Sequence, residues 1–217
     1  MFNRSWGLEG ELPYSDRTFK MTDASDNIVS FSHAEFGDIR LKGIYSGLSQ
    51  DMSTGITFGI KLPSGDYKYP HFDRDTEIGT GSTDTILGGY HMGNMSSKNS
   101  WFVEGEWERA FMVSDGYRPG DEFDAAIGID RNMGAHGKFN TVAPILQLIG
   151  SSRQSDSGIH ANPDSSGYSR ILLSPGIEAD SGEFRFYVDV EVPVYQNVIG
   201  NQVTAPVQFK VIVGHSF

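Results

Sequence analysis

The feature that most constrains this chain is a period-two alternation of apolar and polar residues along nearly its whole length. The clearest case is "EFRFYVDVEVPV" at 183–194, where Phe or Val fills every even position and mostly charged or polar residues fill the odd ones. Residues 101–113 and 52–62 follow the same pattern. Because successive side chains of a β-strand point to opposite faces, the pattern predicts strands with one apolar and one polar face.

About ten such strands are predicted, at 4–13, 36–47, 52–62, 82–93, 101–113, 121–130, 138–149, 168–179, 183–194 and 205–217. Longer connections (14–29, 64–80, 114–120, 150–167 and 196–204) alternate with shorter ones (48–51, 94–99, 131–137 and 180–182). Outer-membrane barrels have short periplasmic turns, long extracellular loops and an even strand number. The sequence therefore predicts one all-β domain over 1–217, an up-and-down antiparallel transmembrane β-barrel in a bacterial outer membrane.

The apolar parity is expected to face lipid, since only a closed sheet can present an apolar strand face to hydrocarbon. This outer band comprises Trp6, Leu8, Ile39, Leu41, Ile56, Phe58, Phe123, Ile127, Ile171, Phe186, Val188 and Val211. Aromatic residues near strand ends suit the interfacial girdles: Tyr14, Tyr45, Trp101, Phe111, Tyr195 and Phe217. The alternative is that these faces form the core of a soluble extracellular β-sandwich that binds carbohydrate.

The polar parity is expected to line the lumen and to set ion selectivity electrostatically. Its charged members are Glu9, Glu11, Asp38, Arg40, Lys42, Lys61, Glu104, Glu106, Glu108, Asp124, Arg185, Asp189 and Glu191. One interpretation is a pore or binding lumen with a mild cation preference; the other is a salt-bridged plug, as expected inside a narrow barrel. The trio at 104, 106 and 108 needs bases opposite, for which Arg40, Lys42 and Arg185 are the candidates.

Composition excludes several other functions. With 28 acidic and 17 basic residues, a formal net charge of −11 and no basic stripe, nucleic acid is not an expected partner. The absence of cysteine excludes thiolate metal sites, cysteine nucleophiles and disulfides. No apolar run approaches the roughly 20 residues of a membrane-spanning helix.

Neither a metal site nor a catalytic site is predicted, and no cofactor is expected. None of the six histidines has a second ligand at metal spacing. The loop "HFDRDTEIG" at 71–79 alternates Asp73, Asp75 and Glu77. It lacks the glycine in the middle and the bidentate glutamate at the end of an EF-hand calcium loop, so it is expected to be a solvated loop. The pairs Ser32–His33 and His215–Ser216 are strand neighbours that point to opposite faces and cannot form a catalytic hydrogen bond.

Two segments around a polar loop, "TFGIKLPSGDYKYP" at 57–70 and "EIGTGSTDTILGGYHM" at 77–92, resemble the outer-membrane family that includes the porin-like proteins of phenol degradation (meta-cleavage) operons. "DIRLKGIY" at 38–45 is also similar. The resemblance implies uptake of small, often apolar organic molecules. It also implies a signal peptide and about twelve strands, so a signal peptide and two strands are expected to be missing from the N-terminal side.

The glycines and aspartates of these two segments also have a physical interpretation. Gly65 and Gly81 are expected to permit turns with positive φ where strands leave the rim. Asp66 and Asp84 are expected to cap backbone amides that are freed there. The motif therefore predicts loop architecture first, and it does not require a ligand site.

The last segment, "VQFKVIVGHSF" at 207–217, is predicted to close the barrel against the first strand. Its apolar residues Phe209, Val211, Val213 and Phe217 resemble the signal by which the outer-membrane assembly machinery recognises barrels. The expected partners are membrane lipid, lipopolysaccharide, that machinery and a small-molecule solute. The predicted function is passive passage or binding of small molecules without chemistry; the alternative within the same fold is a plugged barrel that acts as a structural or adhesive anchor.

Overall fold

A computed structural model describes residues 5–22, 27–70, 72–74, 76–202 and 204–215. Within these ranges the chain forms strands and one 3-10 turn, Pro163–Ser165. No helix in this part of the chain has the length and apolar character that a membrane span requires. The strands are Trp6–Glu11 (β1), Tyr14–Thr22 (β2), Ile28–Phe36 (β3), Arg40–Tyr45 (β4), Thr54–Lys61 (β5), Thr83–Asn94 (β6), Asn99–Met112 (β7), Tyr117–Arg118 (β8), Glu122–Arg131 (β9), Thr141–Arg153 (β10), Ser157–Gly158 (β11), Tyr168–Ser181 (β12), Phe184–Val198 (β13) and Gln208–His215 (β14).

Ten of these strands form one antiparallel sheet in the order β1-β4-β5-β6-β7-β9-β10-β12-β13-β14. The sheet is strongly curled into a half-barrel, with β1 and β14 as its two edges. Each of its strands falls within or overlaps one of the ten predicted segments, so the all-β prediction and the strand count are confirmed. The alternation was informative because every strand has one face toward the polar inside of the curl and one toward the outside.

The connections lie at two rims. The long-loop rim carries 12–39, 62–82, 113–121, 154–167 and 199–207, and the short-turn rim carries 46–53, 95–98, 132–140 and 182–183. The predicted longer and shorter connections do fall at opposite rims, but their lengths overlap, since 113–121 and 132–140 both have nine residues. The alternation of loop lengths is therefore weaker than the sequence suggested.

The connection 12–39 is largely a β-hairpin, which corrects the prediction of a loop at 14–29. β2 and β3 pair over their full lengths, from Tyr14 opposite Phe36 to Thr22 opposite Ile28. Pro13 has no N–H to continue the ladder between β1 and β4, although its carbonyl accepts a hydrogen bond from Gly37 (2.8 Å). As a result β1 and β4 have only six residues each, and the strand predicted to begin at residue 36 begins at Arg40.

Burial in this fold is the reverse of that in a soluble protein, where apolar side chains fill the inside. Among the described residues, seven hydrophobic and fourteen polar or charged residues are buried. The predicted outer band is exposed apart from Ile39, which is half-buried. The girdle residues Phe111 and Tyr195 are also exposed, whereas Tyr14 lies on the hairpin and Phe217 is outside the described residues. The two faces of the curled sheet therefore differ in chemistry as the alternation predicted.

Candidate functional site

A cluster of charges fills the inside of the curl between β4 and β7. Arg40 Nε lies 2.8 Å from Glu108 Oε2, and Lys61 Nζ lies 2.8 Å from Glu108 Oε1. The Lys61 ammonium also forms an ion pair with Asp84 on the neighbouring strand β6. Asp84 was expected to cap a backbone amide, and that prediction is wrong, because the side chain points inward to a base. Glu108 is therefore neutralised by two cations.

Lys42 is the centre of a second group in the same cluster. Its Nζ lies 2.9 Å from Glu9, 2.6 Å from Glu11 and 3.4 Å from Glu106. The prediction that bases stand opposite the acidic trio is confirmed for Arg40 and Lys42. It is wrong for Arg185, whose exposed side chain pairs with Glu178 and Asp180 beside the 182–183 turn of the short-turn rim.

Glu104 differs from the other two acids of the trio. Its side chain is exposed, and it makes no ion pair within the described part of the chain. Lys42 and Lys210 attract it from a distance. Lys210 itself pairs with Glu191 at 3.2 Å. Glu104 is thus the carboxylate of the trio whose charge is not cancelled by a direct partner.

On β10, β12 and β13 a second group of inside side chains is held mainly by hydrogen bonds. Asp189 is buried, and its Oδ2 accepts from Gln147 Nε2 (3.0 Å), Ser174 Oγ (2.8 Å) and the Tyr187 hydroxyl (2.7 Å). Farther along the sheet, the Ser151 hydroxyl donates to Asp124, and the Tyr168 hydroxyl donates to Glu122. The sequence identified Asp124 and Asp189 but not Glu122, nor the hydroxyl and amide partners that uncharged residues supply.

Asp38 was predicted to line the lumen, and this is wrong. It precedes β4 at the long-loop rim, is buried, and accepts hydrogen bonds from the backbone N–H of Gly65 (3.0 Å) and of Thr80 (2.8 Å). It therefore fixes the two ends of connection 62–82. Gly81 has φ +64 as expected, whereas Gly65 does not have a positive φ. A Cβ at Gly65 would instead lie 2.9 Å from Gly79 Cα, so close backbone approach requires glycine there.

The β2–β3 hairpin packs on connection 62–82 at this rim. Arg17 Nη1 donates to the carbonyls of Thr76 (2.7 Å) and Glu77 (2.6 Å). The His33 ring stacks on Tyr69, with centroids 3.7 Å apart and planes 6° apart. Asp66 accepts a hydrogen bond from the Lys68 backbone N–H (2.9 Å), as predicted. His71 and Asp75 lie outside the described residues.

This contact brings three groups with metal-binding atoms together. One ligand atom each of His33, Glu35 and Asp66 lies within 4.8 Å of the others. The sequence did not reveal this group, because its members lie on a strand and a loop that are far apart in the chain. Beside it, a cavity of about 710 Å³ is lined by residues that include Tyr69, Phe72, Arg74, Glu77 and His160.

Glu77 is another residue that the sequence misassigned. The loop 71–79 was expected to be solvated, but Glu77 is only 6 % exposed. Burial, reinforced by the negative charge of Asp66, raises the pKa of Glu77 to about 7. A buried carboxylate is normally compensated by hydrogen bonds or by a positive charge, whereas Glu77 lies beside a second acid, Asp66.

The predicted C-terminal signal residues are partly described. Phe209, Val211 and Val213 lie on the outer face of β14 and are all exposed, and Phe217 is outside the described residues. A scan of the chain against models of known protein families finds no match, and neither does a search of curated proteins.

Proposed function

We propose that this protein is an integral β-barrel of a bacterial outer membrane that passes or binds small solutes. The observation that carries the proposal is the segregation of residue types between the two faces of the curled sheet. Leu8, Ile127 and Val211 on the outside are exposed, whereas Lys42, Lys61 and Asp189 on the inside are buried. An apolar outer face is stable in hydrocarbon, and charged groups at that depth are tolerated when they pair with each other. The carbohydrate-binding sandwich receives no support, because ten strands form one sheet.

Closure of the sheet is part of this proposal. β1 and β14 have unpaired edges within the described residues, and unpaired backbone groups are costly in lipid. The strand order makes β1 and β14 antiparallel, so they can pair directly with each other. Closure is tested by disulfide scanning in lipid vesicles, with Leu8→Cys on β1 combined with a cysteine at 209, 211 or 213 on β14.

One of the three combinations is expected to crosslink rapidly on oxidation. Leu8→Cys combined with Val103→Cys on β7 is the matched control, and it should remain reduced because β7 is far from β1 in the strand order. If none of the β1–β14 combinations crosslinks, the direct closure is wrong.

Within this barrel we favour a narrow lumen that admits small solutes. The charge cluster between β4 and β7 occupies part of the inside, and a barrel of about eight strands is just wide enough for side chains to fill. Glu104 has an exposed carboxylate on the inside that forms no ion pair with any described residue, which favours cations. The resemblance to porin-like proteins of phenol degradation operons suggests that the solute is a small, apolar or aromatic molecule.

Planar-bilayer recording tests the channel. The wild-type protein is expected to give small, cation-selective currents, and Glu104→Gln is expected to reduce the preference for cations. Glu183→Gln makes the same charge change at an exposed turn of the short-turn rim and should alter the selectivity less. Equal effects of the two variants would contradict the role of Glu104.

The second candidate function is a plugged barrel that anchors a surface-exposed set of loops. The observation in its favour is the contact between Lys42 and Glu106 across the inside of the curl. This candidate predicts no current from protein that is correctly inserted, with insertion checked independently by altered gel migration of the unboiled sample. Current of any selectivity would exclude it.

A further inference from the structure

The cluster at the long-loop rim consists of side chains from two separate segments. His33 and Glu35 project from β3, and Asp66 belongs to connection 62–82. His33 Nε2 and Glu35 Oε2 are 3.1 Å apart, and the ligand atoms of all three residues lie within 4.8 Å of one another. Imidazole and carboxylate groups that converge in this way match the donor set of zinc and similar divalent metals.

An independent observation points to a missing cation. Glu77 is more than nine-tenths buried, and its Oε2 has no hydrogen-bond partner among the described residues. Asp66 acts on it as a neighbouring negative charge, and His33 interacts with it electrostatically. A buried carboxylate beside a second carboxylate is costly unless a positive charge lies between them.

The nearby arginines make their hydrogen bonds to backbone carbonyls and not to these carboxylates. The Arg17 guanidinium donates to the backbone carbonyls of Thr76 and Glu77, as described above. The Arg74 guanidinium lies over the rings of Tyr67 (4.6 Å) and Tyr117 (4.4 Å) and donates to the Thr80 carbonyl. Among the described residues, the Asp66 and Glu77 carboxylates therefore have no direct ion-pair partner, although Arg17 and Arg74 attract Glu77 through their charges.

The imidazole is held in a fixed orientation. His33 is 7 % exposed, its ring is stacked on Tyr69, and Phe72 contacts it edge-on with centroids 5.8 Å apart. A ring that is restrained in this way loses little freedom when it binds a metal, which favours binding. Glu77, Tyr69 and Phe72 also line the 710 Å³ cavity, so this cavity lies next to the His33 ring.

We propose that His33, Glu35 and Asp66 form a binding site for a divalent transition-metal ion of the zinc class, and that the buried carboxylate of Glu77 adds negative charge beside it. Since the ligands come from the hairpin and from connection 62–82, the bound ion clamps these two segments at the long-loop rim. The site lies outside the ten-stranded sheet, so the proposal does not depend on passage of solutes through the lumen.

Titration calorimetry of the full chain, refolded in detergent micelles, tests the site with ZnCl₂ and with CaCl₂ as probes. We expect saturable 1:1 binding of Zn²⁺ and much weaker binding of Ca²⁺, because imidazole is a poor ligand for calcium. Loss of a partner that only supports a ligand typically costs 10- to 100-fold in affinity, so His33→Ala should cost at least about 100-fold. Glu77→Gln should also weaken binding.

His136→Ala is the matched control, since His136 lies at the short-turn rim and its replacement should leave Zn²⁺ affinity unchanged. Altered gel migration of the unboiled protein establishes that each variant is folded. Limited proteolysis provides a second readout: Zn²⁺ should protect the 12–39 connection in the wild type but not in His33→Ala. Absence of saturable Zn²⁺ binding, or equal binding by folded His33→Ala, would overturn the proposal; binding without protection would overturn the clamp.

Discussion

Lys42 on β4 and Glu106 on β7 lie 3.4 Å apart at their charged atoms, although β5 and β6 separate their strands. Neighbouring strands are about 4.8 Å apart, so the path along the sheet from β4 to β7 is roughly 14 Å. The two side chains can meet only because the sheet curls around them. This ion pair is therefore a direct sign of the curvature, and it ties together two parts of the half-barrel that share no backbone hydrogen bond.

Replacement of Lys42 by methionine should strongly destabilise the protein. Lys42 is 9 % exposed, and its removal leaves Glu9, Glu11 and Glu106 without their shared cation. Breaking a buried ion pair by removal of one partner typically costs about 3–5 kcal/mol in free energy of unfolding. Urea unfolding in lipid vesicles, followed by tryptophan fluorescence, measures this loss.

The exposed pair between Lys68 and Asp115 provides the control for that experiment. Both side chains are largely in solvent at the long-loop rim, and such exposed pairs contribute little to stability. Lys68→Met is therefore expected to leave the unfolding midpoint nearly unchanged. A similar loss for both variants would mean that burial of Lys42 does not decide its contribution.

Asp189→Asn should lower stability without changing ion selectivity. Asp189 is buried, and its Oδ2 atom accepts three hydrogen bonds, from Gln147, Ser174 and Tyr187. A hydrogen bond to a charged group contributes about 1.5–3 kcal/mol, and the variant should lose an amount of that order. Glu104→Gln should instead change the ion selectivity and leave the stability nearly unchanged when unfolding and current are both measured. A selectivity change in folded Asp189→Asn would support the role in ion selectivity that the sequence predicts for Asp189.

The sequence predicts the ten-stranded sheet because each strand separates two environments, and residues with apolar and polar side chains therefore alternate along it. It could not predict which charges meet, since the contact of Lys42 with Glu106 depends on the curl of strands that are not neighbours. The sequence therefore supports Lys42 and Arg185 equally as partners of the acidic trio, although in the structure Lys42 contacts the trio and Arg185 does not. The proximity of His33 to Asp66 was missed for a related reason: it depends on the packing of the β2–β3 hairpin on a loop, and the sequence predicts a loop at 14–29 in place of the first half of that hairpin.

Tyr117 should make the long-loop rim sensitive to alkaline pH. Tyr117 is buried, and its hydroxyl donates to Asp156 at 2.6 Å, which connects 113–121 with 154–167. Burial, together with the negative charge of Asp156, raises the pKa of the Tyr117 phenol above its usual value of about 10. The folded state therefore favours the protonated phenol. Its contribution to stability is fully present below about pH 10 and is lost as the pH rises through the raised pKa.

Tyr117→Phe isolates this contribution. The variant should be less stable than the wild type at pH 8, because the Asp156 carboxylate loses one hydrogen bond and keeps those from Gly120 and Arg153. The difference between the two proteins should shrink as the pH is raised beyond 10, while the titration of other tyrosines affects both alike. Proteolysis rates of the rim at pH 8 and at pH 11 measure the two differences. A difference that stays constant with pH would show that Tyr117 contributes only through packing.

Ile127→Arg distinguishes a membrane-facing outer surface from a water-facing one. Ile127 lies near the middle of β9 and is 58 % exposed on the outer face. A lipid-facing arginine near the bilayer midplane costs about 2–4 kcal/mol, whereas an exposed surface substitution in water usually changes stability by less than about 0.5 kcal/mol. Ile159→Arg is the matched control, because Ile159 is 83 % exposed in the 154–167 connection, outside the ten-stranded sheet. In lipid vesicles we expect a large loss of unfolding free energy for Ile127→Arg and almost none for Ile159→Arg; nearly equal, small losses for the two would mean that the outer face of β9 is in contact with water.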